Sequence, residues 1–185
     1  VTPLQQEYRR RAALESDIRE QMPVLYAWAR HATRVIELGV GAERTQGASC
    51  CGNSTSALLA ALEHTGGHLW SVDIAEPTVP AWWYEMPAGW SFFLADDTSP
   101  EAQAFCPPEA DLLFIDTSHS YEHTLTELRL YAPRVRPGGT ILLHDTGPGW
   151  PDVARALNDY CPGAAREWYD HPGWPGLGVI EVPGG

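Results

Sequence analysis

The chain contains no lysine: its twelve basic side chains are all arginines. That excludes a Schiff-base lysine and the lysine of a phosphate-binding loop, so any cofactor must be held without an ammonium group. Basic charge is scarce in general. Acidic residues number 24 and the formal charge is −12, so the basic footprint of a nucleic-acid binder is missing. Six of the arginines (Arg9, Arg10, Arg11, Arg19, Arg30, Arg34) lie in residues 1–34, and the run "RRR" at 9–11 reads as a solvated helix face. The four cysteines, Cys50, Cys51, Cys106 and Cys161, show neither paired C-x-x-C spacing nor the density of a secreted disulfide scaffold. Free thiols in a reducing cytosol, and hence a cytoplasmic protein, are expected. No apolar run approaches the ~20 residues of a membrane span, and no signal-peptide pattern opens the chain. No internal repeat is visible, and 185 residues are most simply one domain.

What is present alternates. Residues 4–21 are polar with Leu14 and Ile18 four apart, and a second helical stretch follows Pro23. These N-terminal helices, residues 1–33, are expected to pack on a core of 34–185, or to meet another subunit in a homo-oligomer. Short apolar runs then recur at "RVIELGV" (34–40), "HLWSVDI" (68–74), "WSFFLAD" (90–96), "ADLLFID" (110–116) and "TILLHD" (140–145), read as buried strands. Between them lie the helical patterns "NSTSALLAALEHTGG", "YEHTLTELRLYA" and "PDVARALNDY". At the end, "AREWYDH" and "GLGVIEV" flank a "PGWPG" turn. The fold expected is α/β, Rossmann-like and doubly wound, with a mostly parallel seven-stranded sheet and a C-terminal antiparallel hairpin.

In open parallel sheets, ligands bind beyond the carboxyl ends of the strands. Each strand here ends in polar residues suited to that place: Glu37 and Gly39, Asp73, Asp96 with Asp97, Asp116, and His144 with Asp145. Asp73 suits a carboxylate that accepts from ribose hydroxyls, and Asp97 one that accepts from an adenine amino group. The stretch "GVGAERTQGASCCGNSTSALL" (39–59) begins like a dinucleotide turn, yet Arg44 stands where a third glycine would go. A pyrophosphate on the following helix N-terminus is therefore disfavoured.

The segments "VIELGV", "GNSTSALLAAL", "LWSVDI", "FFLADD" and "LLFIDTSHSYEHTLTELRLYAPRVRPGGTILLHD" together resemble class I S-adenosylmethionine-dependent methyltransferases. The branch they are most similar to contains cephalosporin-hydroxylase-like, macrocin-type and catechol-type O-methyltransferases, and the resemblance spans about residues 17–182. It implies methyl transfer from S-adenosylmethionine to a small-molecule hydroxyl, with no nucleic-acid or membrane partner. Glu37, Gly39, Gly52, Asn53 and Ser54 would surround the methionine part of the cofactor, Asp73 the ribose, and Asp96 with Asp97 the adenine. The same resemblance implies Mg²⁺ held by Asp116 and Asp145, with His144 or Thr146 beside them. The alternative is that Asp116 orients the cofactor's amino group and Asp145 caps a loop.

A transferred methyl needs an acceptor that sheds a proton, and His119 or His144, next to strand ends, is suited to take it. The other histidines, including His123, read as solvated. Residues 41–51 read as an insertion that splits the cofactor turn, expected to form a mobile flap. Trp28 and Trp70 fit core positions. "PAWWYEMPAGW" (80–90) reads either as an aromatic wall for an acceptor or as a segment packed over the sheet edge, the second being preferred. Two other functions stay open at this point: a nicotinamide-binding Rossmann-like protein, and a non-catalytic module that keeps the fold.

Overall fold

A computed structural model describes residues 2–13, 21–40, 53–77, 79, 81–86, 88–167 and 175–185. Six strands of five residues or more build the sheet: β1 (Arg34–Leu38), β2 (His68–Asp73), β3 (Trp90–Leu94), β4 (Ala110–Ile115), β5 (Val135–His144) and β7 (Leu177–Glu181). A three-residue piece, β6 (Ala165–Glu167), pairs at the edge, and the expected count of seven rests on it. The order is β3-β2-β1-β4-β5-β7-β6. Strands β1 to β5 pair in parallel, and β7 runs antiparallel to both β5 and β6. Strand order reverses between β1 and β4, which makes the carboxyl ends of those strands the ligand crevice of an open α/β sheet.

Among the described residues, six α-helices accompany the sheet: α1 (Pro3–Ala12), α2 (Met22–Ala29), α3 (Asn53–Leu62), α4 (Pro100–Phe105), α5 (Tyr121–Tyr131) and α6 (Pro151–Tyr160). Side chains alternate along a strand, and the alternation sorts the core into two layers. Val35, Leu69, Leu112, Phe114 and Leu142 join Leu25, Leu58 and Leu62 of the first three helices. Ile36, Leu113, Ile115, Ile141 and Leu143 join Leu128, Tyr131, Val153 and Leu157 of the last two.

Helix α3 departs from the one-sided pattern expected of it. All ten of its residues are buried, because α1 and α2 pack over the side that the sheet leaves free. A helix that is apolar or neutral all round suits such a place. Gly66 ends it as expected, with φ +67° and its N–H on Leu62 O at 2.9 Å. Pro23 lies in the first turn of α2.

Strand β5 starts at Val135, earlier than the apolar run suggests, because "RPGG" continues the strand through a register shift opposite Ala110 and Leu112. Helix α4 was not expected, although Ser99 accepts from Ala102 N at 3.1 Å and Pro100 follows in the first turn. Trp83 and Trp90 are buried and meet edge to face at 5.7 Å, which favours the edge-packing reading of "PAWWYEMPAGW" for these two. Trp28 is half-buried against the core. Trp70 differs from its expected core position: it is half-buried with its ring 4.2 Å from that of His68. The expected flap at 41–51, and with it Cys50 and Cys51, lies outside the described residues, as does Gly52.

Two backbone contacts lock the crevice. Gly39 N donates to Val72 O at 2.9 Å, and Asp116 N donates to Leu38 O at 2.8 Å. Gly39 has φ +85°, and a Cβ there would lie 1.8 Å from the Asp116 carbonyl oxygen, so conformation and space both demand glycine. Gly39→Ala is expected to lower the unfolding free energy by about 3 kcal/mol. The urea midpoint reports it, and a loss below about 0.5 kcal/mol would contradict the close approach.

Candidate active site

Glu37 shares a sheet face with Val35, so its side chain enters the layer beneath α3. It is fully buried and its two oxygens accept from Ser54 Oγ (2.7 Å), Thr55 Oγ1 (2.9 Å) and Ser71 Oγ (2.6 Å). Trp90 Nε1 donates in turn to Ser71 Oγ at 2.8 Å. Burial raises the Glu37 carboxyl to about 7 against the pull of those three hydroxyls. Ser54 and Glu37, both expected around the cofactor's methionine, are therefore occupied with each other behind the turn. Their work is to fix the first turn of α3 against β1 and β2. Asn53, at the start of α3, is buried too.

Along the crevice, Asp73 ends β2 and holds the turn after β1: Oδ2 accepts from Val40 N at 2.8 Å and Oδ1 from Ala75 N at 2.9 Å. The two aspartates after β3 separate. Asp96 is exposed and accepts from the backbone N–H and hydroxyl of Thr98, hydrogen bonds that hold its carboxyl below the usual range.

Asp97 turns inward instead. Its backbone oxygen takes the Tyr131 hydroxyl at 2.5 Å, and its carboxylate lies 3.1 Å from His123 Nε2. Glu127, fully enclosed, accepts from Thr117 Oγ1 at 2.6 Å and lies 3.7 Å from the same imidazole. Burial and then the Asp97 charge raise Glu127 to about 8, while the bond to Asp97 raises His123 to about 9. Asp97 is thus buried against protein partners, and His123, expected to be solvated, is half-buried between two carboxylates.

At the ends of β4 and β5, four side chains meet. His144 Nδ1 lies 3.2 Å from Asp116 Oδ1 and 3.2 Å from Asp145 Oδ2. His119 Nε2 lies 2.6 Å from Asp145 Oδ2 and 3.8 Å from Asp116 Oδ1. One donor atom from each of the four falls within 4.8 Å of the others. His144 is 2 % exposed and His119 43 %, so the first is sealed inside and the second forms the rim, its ring edge-on to Trp150 at 6.2 Å.

The charges balance. Burial opposes a cation at His144, yet Asp116 and Asp145 raise it to about 10, and the same two carboxylates raise His119 to about 9. Burial pushes Asp116 upward, but the neighbouring His144 and His119 hold it well below the ordinary carboxylate range. Asp145 adopts φ +58°, a left-handed conformation that costs a non-glycine residue energy and is found at functional sites. Both ring nitrogens of His144, Asp145 Oδ1 and Thr146 Oγ1 are buried without a hydrogen-bond partner. Polar atoms left so in a folded protein call for a further ligand, and two carboxylates with an imidazole suit a divalent cation.

A protein-family model described as "Methyltransferase domain" matches residues 49–146, from just before α3 to just past Asp145. The chain belongs to this methyltransferase family. Solved structures share the fold. MycE, crystallised with Mg, SAH and mycinamycin VI, is 18% identical at a TM-score of 0.59, over 89% of this chain and 48% of that one. CalS11, a TDP-rhamnose 3'-O-methyltransferase of calicheamicin biosynthesis, is 18% identical at 0.62, over 88% and 77%. An O-methyltransferase from Bacillus cereus with bound SAH is 16% identical at 0.62, over 98% and 91%. This methyltransferase chain thus spans about half the length of MycE and most of the Bacillus protein. No curated protein sequence matches it significantly.

No described helix is long and apolar enough to cross a membrane. In this methyltransferase domain the strand-end rule puts Asp116, His144 and Asp145 at one edge of the sheet, with His119 three residues past Asp116, and the resemblance pairs Asp116 with Asp145. Both miss His123 and Glu127, whose partners come from β3 and the β4 loop. A spacing of four along one helix was the available signal.

The raised Glu37 carboxyl has a pH signature. A carboxyl whose folded value exceeds its unfolded one is free of penalty when both are protonated, and costs stability as pH climbs through the interval. From pH ~4.5 to ~7, Glu37 is expected to remove on the order of 3 kcal/mol. Urea unfolding at pH 5 and 8 should show this decline in the native chain and a smaller one in Glu37→Gln; equal declines would refute it.

Proposed function

We propose that this chain is an S-adenosylmethionine-dependent O-methyltransferase that methylates a hydroxyl on a small molecule. The observation that carries the reading is the convergence of Asp116, His119, His144 and Asp145 beside the Gly39 turn in a methyltransferase domain. Such a crevice offers a cofactor seat and a proton acceptor within one strand spacing of each other. MycE and CalS11, named for natural-product pathways, point to a hydroxylated natural product as the acceptor class.

Each residue then has a part. Asp73, at the carboxyl end of β2, accepts from the ribose hydroxyls. Asp96, exposed where Asp97 is not, serves the adenine amino group. Gly39 brings backbone close to the cofactor, and Asn53 borders the methionine end, while Glu37 with Ser54 positions α3 from behind.

Methyl transfer requires the acceptor oxygen in line with the sulfonium carbon and a destination for its proton. His119 at the rim is the imidazole that an acceptor reaches from outside, His144 being sealed off; it takes that proton in its neutral form, which a value of about 9 makes the minor form at pH 7. Asp145, 2.6 Å from His119, orients the imidazole and stabilises its cation, as a carboxylate does for a catalytic histidine. A divalent ion on Asp116 and Asp145 would supply Lewis acidity toward the acceptor oxygen.

Titration calorimetry is expected to show 1:1 binding of S-adenosylhomocysteine, and Asp73→Ala to weaken it roughly 10- to 100-fold, the worth of a hydrogen bond to a charged group. His119→Ala should leave that affinity unchanged and lower kcat about 10²-fold or more in a methyl-transfer assay. A folded chain that binds neither S-adenosylmethionine nor its product would end the proposal. Binding without transfer to any hydroxylated acceptor would return the non-catalytic alternative.

A further inference from the structure

The chemistry of the donors at the ends of β4 and β5 bears on which cation they take. Mg²⁺ favours hard oxygen ligands at near-ideal octahedral geometry, whereas imidazole nitrogen suits the first-row transition ions. The most enclosed donor here is a nitrogen: His144 Nδ1 sits 3.2 Å from an oxygen of each aspartate. Ligand atoms bonded at ~2.0–2.2 Å to one ion are about 3.0–3.5 Å apart at octahedral or tetrahedral angles. The two separations fall in that interval.

The enclosure matters as much as the spacing. His144 is 2 % exposed and neither ring nitrogen finds a hydrogen bond, so its imidazole is aimed at the aspartates without satisfying ordinary hydrogen-bond geometry. Asp145 Oδ1 is orphaned in the same way. The left-handed backbone of Asp145 is what carries its carboxylate back toward His144, its own chain neighbour. Without that turn, adjacent residues leaving a strand would diverge. Both residues, with Asp116, stand on the ends of paired strands, which makes the spacing rigid.

We propose that Asp116, His144 and Asp145 form a one-imidazole, two-carboxylate site that selects a first-row transition dication of the Mn²⁺ or Fe²⁺ kind over Mg²⁺. The inference rests on the methyltransferase reading for the site's purpose, and concerns a different property, the identity of the ion. His119, 43 % exposed, stays at the rim outside this donor set.

The test uses the whole chain stripped of metal, with Mn²⁺ as probe. Free Mn²⁺ is followed by electron paramagnetic resonance, and Mg²⁺ is then added as competitor. Native protein is expected to bind one Mn²⁺ and to prefer it to Mg²⁺ by at least about tenfold. His144→Ala should weaken Mn²⁺ by about 10- to 100-fold. His144→Asp, which makes the donor set all oxygen, should keep a divalent site whose Mn²⁺ preference over Mg²⁺ shrinks. Equal affinity for the two ions in the native chain, or unchanged Mn²⁺ binding in His144→Ala, overturns the proposal. Equal affinity in the native chain overturns the proposal whether or not a variant folds, and the His144 variants read the nitrogen's share of the preference, since carboxylates alone also suit Mn²⁺. S-adenosylhomocysteine calorimetry on the same samples separates the two readings: cofactor binding can fail while ion selection holds, and the reverse.

Discussion

A single buried carboxyl organises the half of the molecule on which the crevice is built. Glu37 draws hydroxyls from α3 and β2 onto β1, and through Ser71 it also fixes the indole of Trp90 on β3. Three strands and one helix are thereby tied by polar contacts inside a layer otherwise filled with leucine. Buried polar networks of this kind stabilise little beyond an apolar core, yet they allow few alternative registers. A strand slipped by one residue would point Glu37 into the opposite layer, among Ile36's neighbours, with no hydroxyl to meet it. The register of β1 then fixes where Gly39 falls, and Gly39 fixes how near β4 can come.

The site is divided between two strand ends and two different needs. Asp116 and Asp145 neutralise the imidazoles between them, so the crevice carries four ionisable groups without a large net charge. A second group, Asp97 with His123 and Glu127, is joined to the first through the segment after β4, since Thr117 donates to Glu127 while Asp116 faces His144. The first opens to solvent at His119. The second is nearly closed, and its role is to hold α5 against the end of β3, also through the Tyr131 hydroxyl. The floor of the crevice is thus set from α3 on one side and α5 on the other.

Much of the site was legible because position in a parallel sheet is legible. Apolar runs that stop at Gly39, Asp73, Asp96 and Asp116 mark strand ends, and geometry confines ligands there. What the runs do not convey is direction beyond the strand. Asp96 and Asp97 are neighbours in sequence, and only the turn, with Asp96 accepting from Thr98, sends one outward and the other in. Glu37 looked like a crevice residue because it precedes the turn, but the alternation along β1 puts it beneath α3. The hydroxyls it meets are 17 to 34 positions away. The solvent face expected of α3 is absent for the same reason: whether a helix has one depends on what packs over it, here two helices from far earlier in the chain.

The antiparallel strand beside β5 has a bearing on how the protein comes into being. Leu177 pairs with His144, Pro175 O accepts from Gly147 N at 2.7 Å, and Gly176 O accepts from the Gln21 side chain at 3.1 Å. The backbone that carries His144 and Asp145 therefore has an uncovered edge until residues 175–181 have been made and have folded back. On a ribosome, the chain up to residue 145 emerges with every acid and imidazole of the crevice already in hand, but with β5 as an open border to the sheet. Unpaired strand edges are where nascent chains misassociate. The crevice is thus among the earliest parts of the molecule to be specified and among the last to be secured.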